Sequence, residues 1–129
     1  MRRASFIFLV AVVCGCSHRP TVVGQWSTRA GSGSGTLIFR QDCTFRSYTE
    51  SPLASLVMDG TFELKGEMLR MHIVKWSVPK GPQMSERERL SMNKIFQTDS
   101  FSTVTWTDED HLRISGQSGE LTTAERVSK

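Results

Sequence analysis

Hydrophobic and polar positions divide the chain into three kinds of text. An unbroken apolar run over 6–13 follows Arg2 and Arg3 and is stopped by His18, Arg19 and Pro20. From Val22 onward, short runs rich in Val, Ile, Thr, Phe and Trp alternate with Gly, Asp, Ser and Pro, the punctuation of an all-β domain. One later stretch breaks the alternation. Ser85-Glu86-Arg87-Glu88 reads as a capping box, which opens a helix around 84–96 with Met84, Met92, Ile95 and Phe96 as its apolar content. Glu86, Arg87, Glu88, Arg89 and Lys94 would form its solvated face.

Within the β text, the pattern predicts a first strand over 22–28 with Trp26 turned inward, followed by a flexible Gly-rich connection over 30–35. Strands over 36–40 and 44–49 would pair across 41–43, with Leu37, Phe39 and Phe45 inward. Pro52 keeps the start of 51–58 out of a central strand, so that stretch reads either as a short helix across a barrel end or as the beginning of a strand. Asp59-Gly60 marks a turn or bulge before a strand over 61–64. The longest predicted strand, 68–78, places Leu69, Met71 and Ile73 on one face and Met68, Arg70, His72, Val74 and Trp76 on the other. Three short strands follow, over 101–107, 111–115 and 120–127, with Val104 and Trp106 sharing a face in the first, and Leu112 and Ile114 in the second.

The N-terminal apolar run is too short to cross a bilayer, which takes about 20 such residues. A charged start, an apolar centre and the small residues Gly15, Cys16 and Ser17 instead form the layout of a secretory signal. Val13-Cys14-Gly15-Cys16 resembles the lipobox of bacterial lipoproteins, with Val13 where Leu is commoner and Cys14 where Ala or Ser is commoner. The resemblance implies cleavage before Cys16, a diacylglyceryl thioether on its sulfur and usually an acyl group on its new amine. Each buried methylene contributes about 0.8 kcal/mol, so such chains anchor a protein lastingly. Ser17 carries no signal for inner-membrane retention, and the expected place is the outer membrane, facing the periplasm. The organisation is then a signal peptide over 1–15, an acylated cysteine and short tether over 16–21, and a single barrel domain over 22–129.

Charge changes the picture once the signal is set aside. The whole chain has 16 basic and 13 acidic residues; without Arg2 and Arg3 the balance is 14 against 13, and the case for a nucleic-acid partner loses its support. With Cys14 removed and Cys16 acylated, Cys43 would be left alone in an oxidising compartment. It then reads as an inert thiol, a bridge between two copies in a homodimer, or a reactive group. His18, His72 and His111 have no metal-ligand spacing, so no metal or other cofactor is expected, and His72 reads as structural. The acids Asp108, Glu109 and Asp110 lack calcium-loop spacing and read as a solvated turn. No nucleophile elbow, zinc-protease helix or Cys/His pair is present, and carboxylates such as Asp42 and Asp59 have nothing local to unite them; the chain reads as a non-enzyme.

Taken together, several short segments resemble the small bacterial lipocalin-like families. They are Gly24-Gln25-Trp26, Leu37-Ile38-Phe39 with Gln41-Asp42-Cys43-Thr44-Phe45, Gly60-Thr61-Phe62-Glu63-Leu64, Asp110-His111-Leu112, and the ending from Gly119 to Arg126. Cys43 stands where that pattern usually has Gly, and Ala124 where it has Tyr. The resemblance implies an all-β, antiparallel up-and-down barrel of about eight strands with one short helix, able to fill with side chains or to hold one small apolar ligand. It also implies that Trp26 and Arg126 stack at the closed end in a structural contact. The expected lining of a ligand site is Trp26, Leu37, Phe39, Phe45, Leu69, Met71, Ile73 and Trp106, with Met68 and Trp76 as adaptable additions. Two functions follow: an anchored module binding an apolar molecule or lipid, or an envelope lipoprotein with a packed barrel acting through its surface.

Overall fold

A computed structural model describes residues 21–128. The signal segment, the lipobox with Cys16 and most of the tether lie outside the described residues. The described chain forms β1 (Gly24–Ala30), β2 (Gly33–Phe39), β3 (Thr44–Glu50), β4 (Ser55–Lys65), β5 (Met68–Ser77), α1 (Glu86–Phe96), β6 (Ser100–Asp108), β7 (His111–Gly116) and β8 (Leu121–Ser128). Each strand pairs antiparallel with its chain neighbour, and β1 pairs with β8, closing an eight-stranded barrel. This is the architecture the alternating pattern predicts, with one short helix among the described residues.

The up-and-down order sorts the connections into two ends. The β2–β3, β4–β5 and β6–β7 turns share one end with Thr21–Val23, the segment that leads into β1; the β1–β2, β3–β4 and β7–β8 turns and the segment carrying α1 occupy the other. Bulky side chains fill the first, closed end. Trp26, Phe39, Phe45, Leu69 and Val104 are all but inaccessible, joined by Leu37, Phe62, Leu112, Ala124 and Val22. Phe39 and Phe62 meet edge to face at 4.7 Å, and Trp26 meets Trp106 at 6.0 Å, geometries that add to the area they bury. The Trp26 indole N–H donates to the Val22 carbonyl at 2.8 Å, so its one polar atom is satisfied inside the core.

Several elements differ from the sequence expectation. The first strand begins at Gly24, and the Gly-rich stretch is mostly strand: only Gly31 and Ser32 turn, while Gly33–Gly35 pair with β1 and Ser34 and Gly35 also with β3. Of the two readings of 51–58, the structure takes the beginning of a strand rather than a helix: β4 runs unbroken from Ser55 and, at 11 residues, replaces β5 as the longest strand. The irregularity at Asp59-Gly60 is a bulge, and the extra residue belongs to β5. Gly60 pairs with Ile73 and Asp59 with Lys75, which leaves Val74 without a partner, 69% exposed. Beyond that residue the alternation reverses. Trp76 pairs with Met58 and shares the inner face, not the outer face that strict alternation assigned to it.

Candidate functional site

The interior changes character from the closed end to the open one. Alternation from Trp26, Leu37, Phe45 and Ala124 carries small or hydroxyl-bearing residues to the open-end interior: Thr28, Gly35, Ser47 and Thr122. Opposite them, β4 and β5 supply Leu56, Met58, Met71, Ile73 and Trp76, all only partly buried. The result is a filled floor beneath a more accessible half, with an apolar wall facing a wall of small residues.

One side of this open half has a gap. β5 pairs with β6 only from Met68 to Met71, so its last residues run past the start of β6. Helix α1 stands over that unpaired edge. The Trp76 indole donates to Asn93 Oδ1 at 2.6 Å, its ring meets Phe96 at 5.5 Å, and the Arg89 guanidinium lies 5.6 Å from the ring centroid. A cavity of about 380 Å³ remains here between the β5 bulge and the helix, lined by Ile73, Trp76, Asn93 and Phe96 among others. The helix forms because both halves of its capping box are made: Ser85 Oγ accepts from the Glu88 N–H, and the Glu88 carboxylate accepts from the Ser85 N–H. It buries no residue of its own, and Leu90 and Ile95 are exposed. Its hold on the barrel therefore runs chiefly through Trp76.

Beside the helix a second opening, of 340 Å³, lies between the β3–β4 turn, the segment after β5 and α1, with Leu56, Val78, Met84 and Met92 in its wall. A larger groove of 490 Å³ runs over the outer face of β1, β8 and β7, lined by Arg29, His111, Arg113 and Glu125 among others. Its mixed charges face solvent and it is not lined by the apolar wall. The cleft beside α1 is the better candidate for an apolar molecule, because desolvating an apolar lining drives such binding.

The expected lining residues divide between the two halves. Trp26, Leu37, Phe39, Phe45 and Leu69 belong to the filled floor, where they contact one another. Met71, Ile73 and Trp106 pack against that floor but remain partly exposed, at the level where the interior opens. Met68 is not lining: it is 49% exposed on the outer face. Leu56, Met58, Ser55, Met84 and Met92 escaped sequence reasoning as lining, since no local pattern shows that the β3–β4 turn, β5 and α1 meet at one rim.

At the closed end, Arg126 lies over Trp26 with its guanidinium carbon 4.3 Å from the ring centroid. Asp42 and Asp59 are not brought together as a carboxylate pair. Asp42 caps its turn by accepting from the Thr44 N–H and hydroxyl, and Asp59 pairs with Arg46 at 2.8 Å. Each partner lowers the carboxyl from its ordinary value, with the hydrogen bond as the chief cause. His72 meets Asp99 at 2.8 Å on the outer face, beside Arg70 and Glu63. His111 meets Asp108 at 2.8 Å in the β6–β7 turn. Cys43 follows Asp42 with φ 67°, the left-handed conformation for which glycine is the default residue and which the lipocalin-like pattern fills with glycine. Its sulfur is disulfide-bonded, which corrects the inert-thiol expectation. Among the described residues no three His, Cys, Asp or Glu side chains gather as a metal site.

The closed eight-stranded antiparallel barrel with a single capping helix defines the class of the domain and is compatible with a lipocalin-like fold. No protein-family model and no curated protein matches the chain.

Proposed function

We propose that the protein is an acylated lipoprotein of the cell envelope whose lipocalin-like barrel holds a small apolar ligand or lipid in its open half, without catalysis. The observation that carries this reading is the division of the interior: a floor closed by Trp26, Phe39, Phe45, Leu69 and Val104 under a partly exposed apolar wall of β4 and β5. A barrel of eight strands is wide enough for one small ligand above such a floor.

The anchor side of the reading rests on the lipobox resemblance, with lipid on Cys16 and the outer membrane, facing the periplasm, as its place. The fold supplies an orientation for it. Arg126 donates to the carbonyls of Thr21 and Val23, both at 3.0 Å, so the chain leaves the anchor at the closed end. An acylated Cys16 would then hold the closed end toward the bilayer and turn the open end away from it.

The second reading, an interaction lipoprotein acting through its surface, is favoured by the tight filling of the closed half. Organic extraction of the purified full chain followed by mass spectrometry separates the two. A recovered apolar molecule supports the binding module; a bare protein that also fails to bind the apolar probe N-phenyl-1-naphthylamine supports the surface reading. For the anchor, Cys16→Ala is expected to abolish incorporation of labelled palmitate and to release the protein from the membrane fraction. Unchanged labelling would sink the lipoprotein assignment. A doubled mass that collapses with reductant would assign a copy-to-copy bridge to Cys43.

A further inference from the structure

Most of the described arginines are engaged: Arg46, Arg70 and Arg126 meet carboxylates, Arg40 donates to Thr44, and Arg89 lies over Trp76. Arg29 and Arg113 are not. Among the described residues neither guanidinium makes an ion pair or a hydrogen bond. Yet barrel closure brings them together: Arg29 of β1 and Arg113 of β7 both pair with Thr123 of β8, so the three side chains stand exposed in one row on the outer face. Ser34 of β2 and Thr105 of β6 extend the row on either side, and no carboxylate falls within it.

Adjacent strands lie about 4.8 Å apart, which puts the two arginine Cα atoms about 10 Å from one another with Thr123 midway. Two long side chains close that span onto a group above Thr123. Two cations held so repel each other, and a bound anion converts the repulsion into paired charge-assisted hydrogen bonds. The Thr123 hydroxyl is a third donor: its bond to the Arg29 carbonyl is 3.5 Å long, well beyond the usual ~2.7–2.8 Å for a hydroxyl, and is readily exchanged. The place is concave as well as charged, since these residues and Ser34 line the 490 Å³ groove over β1, β8 and β7. The carboxylates of that groove, Asp108 and Glu125, sit toward the closed end and face His111, at 2.8 and 3.6 Å, which offsets them there.

The number of donors specifies the anion. A carboxylate has two oxygens in one plane, which a single arginine fork occupies, and a phosphodiester offers two free oxygens and one charge. A phosphomonoester presents three oxygens in a tetrahedron and nearly two charges at neutral pH, enough for two forks and a hydroxyl at once. We propose that this groove binds a phosphomonoester carried on a hydroxyl-bearing molecule, its phosphate held between the Arg29 and Arg113 guanidiniums over Thr123 and its carrier against the Ser27 and Ser34 hydroxyls. The site lies on the outside of the barrel and depends neither on an apolar ligand in the interior nor on the anchor.

The test is calorimetry on the full chain at low salt, where surface charge is least screened, with four soluble probes. Glucose 6-phosphate and dihexanoyl phosphatidate are monoesters on a sugar and on a lipid, dihexanoyl phosphatidylglycerol is a diester with the same acyl chains, and glucuronate is a carboxylate. A monoester is expected to bind about tenfold or more tightly than the diester and glucuronate. Preference for glucose 6-phosphate assigns the site to soluble sugar phosphates, and preference for dihexanoyl phosphatidate to a lipid headgroup; either supports it. Arg29→Ala and Arg113→Ala should each weaken the monoester about tenfold or more, and Arg29→Lys nearly as much, because an ammonium has no fork. Arg87→Ala removes the same charge from α1, outside the groove, and should leave affinity unchanged. All four change exposed side chains, and an unchanged circular dichroism spectrum confirms that each variant folds. Monoester binding that survives either alanine variant, full rescue by Lys, an equal loss in Arg87→Ala, equal affinity for the diester or glucuronate, or no binding of either monoester overturns the inference and leaves the barrel-interior reading standing.

Discussion

The Arg126 guanidinium stacks on Trp26 and ties the last strand to the segment that leads into the first, at the closed end of the barrel. Trp26 is 0% exposed and the Arg126 side chain 7% exposed. Beyond the ring contact, the guanidinium donates to the carbonyls of Thr21, Val23 and Glu109 and meets Asp110 at 3.2 Å. A desolvated cation-π contact contributes about 1–2 kcal/mol, and carbonyls left unpaired add to the loss.

Arg126→Ala is therefore expected to lower unfolding free energy by about 2–4 kcal/mol in urea titration. Arg126→Lys should fall between the two, since an ammonium keeps the charge but not the planar fork. A variant within about 0.5 kcal/mol of the native protein would show that the clasp is not a source of stability.

Gly60 sits opposite the β5 bulge, where an added Cβ would run into the His72 carbonyl and the Phe45 ring. Backbone cannot step aside as a flexible side chain can. Gly60→Ala is expected to cost about 3 kcal/mol or more, or to prevent folding, as overpacking at a fixed backbone does. Gly66 is the control: its φ is 61° but nothing lies within 4 Å of an added Cβ, so Gly66→Ala should cost only about 1–2 kcal/mol of left-handed strain. Equal costs at the two sites would contradict the close approach at Gly60.

His111 is raised above its ordinary value of 6.5, chiefly by the hydrogen bond to Asp108, with Coulombic attraction from Asp108, Glu125 and Asp110 in support and desolvation opposing. Asp108 is lowered from its ordinary 3.8, first by that same bond. A raised histidine contributes stability that is fully present below its unfolded value and is lost as pH rises through its folded value. A lowered carboxylate contributes stability present above its unfolded value and lost as pH falls through its folded value. The pair is thus at full effect between about 3.8 and 6.5 and fades outside that window. In an NMR titration the His111 ring should protonate above 6.5, and Asp108→Asn should bring that midpoint down. An unmoved midpoint would break the assignment.

Asn93 anchors α1 to the barrel through the Trp76 indole. Because the helix buries no residue, Asn93→Ala should change global stability by no more than about 1–1.5 kcal/mol, the value of one hydrogen bond. Local opening should respond far more, with faster proteolysis at Arg87 and Arg89 and faster amide exchange confined to the helix. Exchange that accelerates equally in β4 and β5 would mean that helix and barrel open as one unit.

Much of this architecture is readable from local text. Trp26, Leu37, Phe39 and Phe45 face inward as their alternation predicts, and Ser85 with Glu88 opens the helix, because each pattern is complete within a few residues. Local pattern is insufficient where pairing partners decide. Gly33–Gly35 look like a loop alone but are carried into β2 by pairing with β1 and, from Ser34, with β3. Asp59-Gly60 reads as a turn or a bulge, and the pairing of β4 with β3 and β5 selects the bulge, so the strand continues through it. Period-two counting puts Trp76 on the outer face, and it fails because Val74 is an extra residue that reverses the alternation.

By itself, the sequence determined the all-β class, the capped helix and the inward residues of the early strands, all of which follow from short-range periodicity and from residue types with strong local preferences; the Trp26–Arg126 contact was implied only by the lipocalin-like resemblance. Only the tertiary structure decided that the barrel closes, that its closed half is filled while its open half is not, and that Arg29 and Arg113 stand on either side of Thr123. Those properties depend on contacts between residues as far apart as Val23 and Arg126, separated by 103 positions. No pattern read along the chain contains the space left between such residues when they meet.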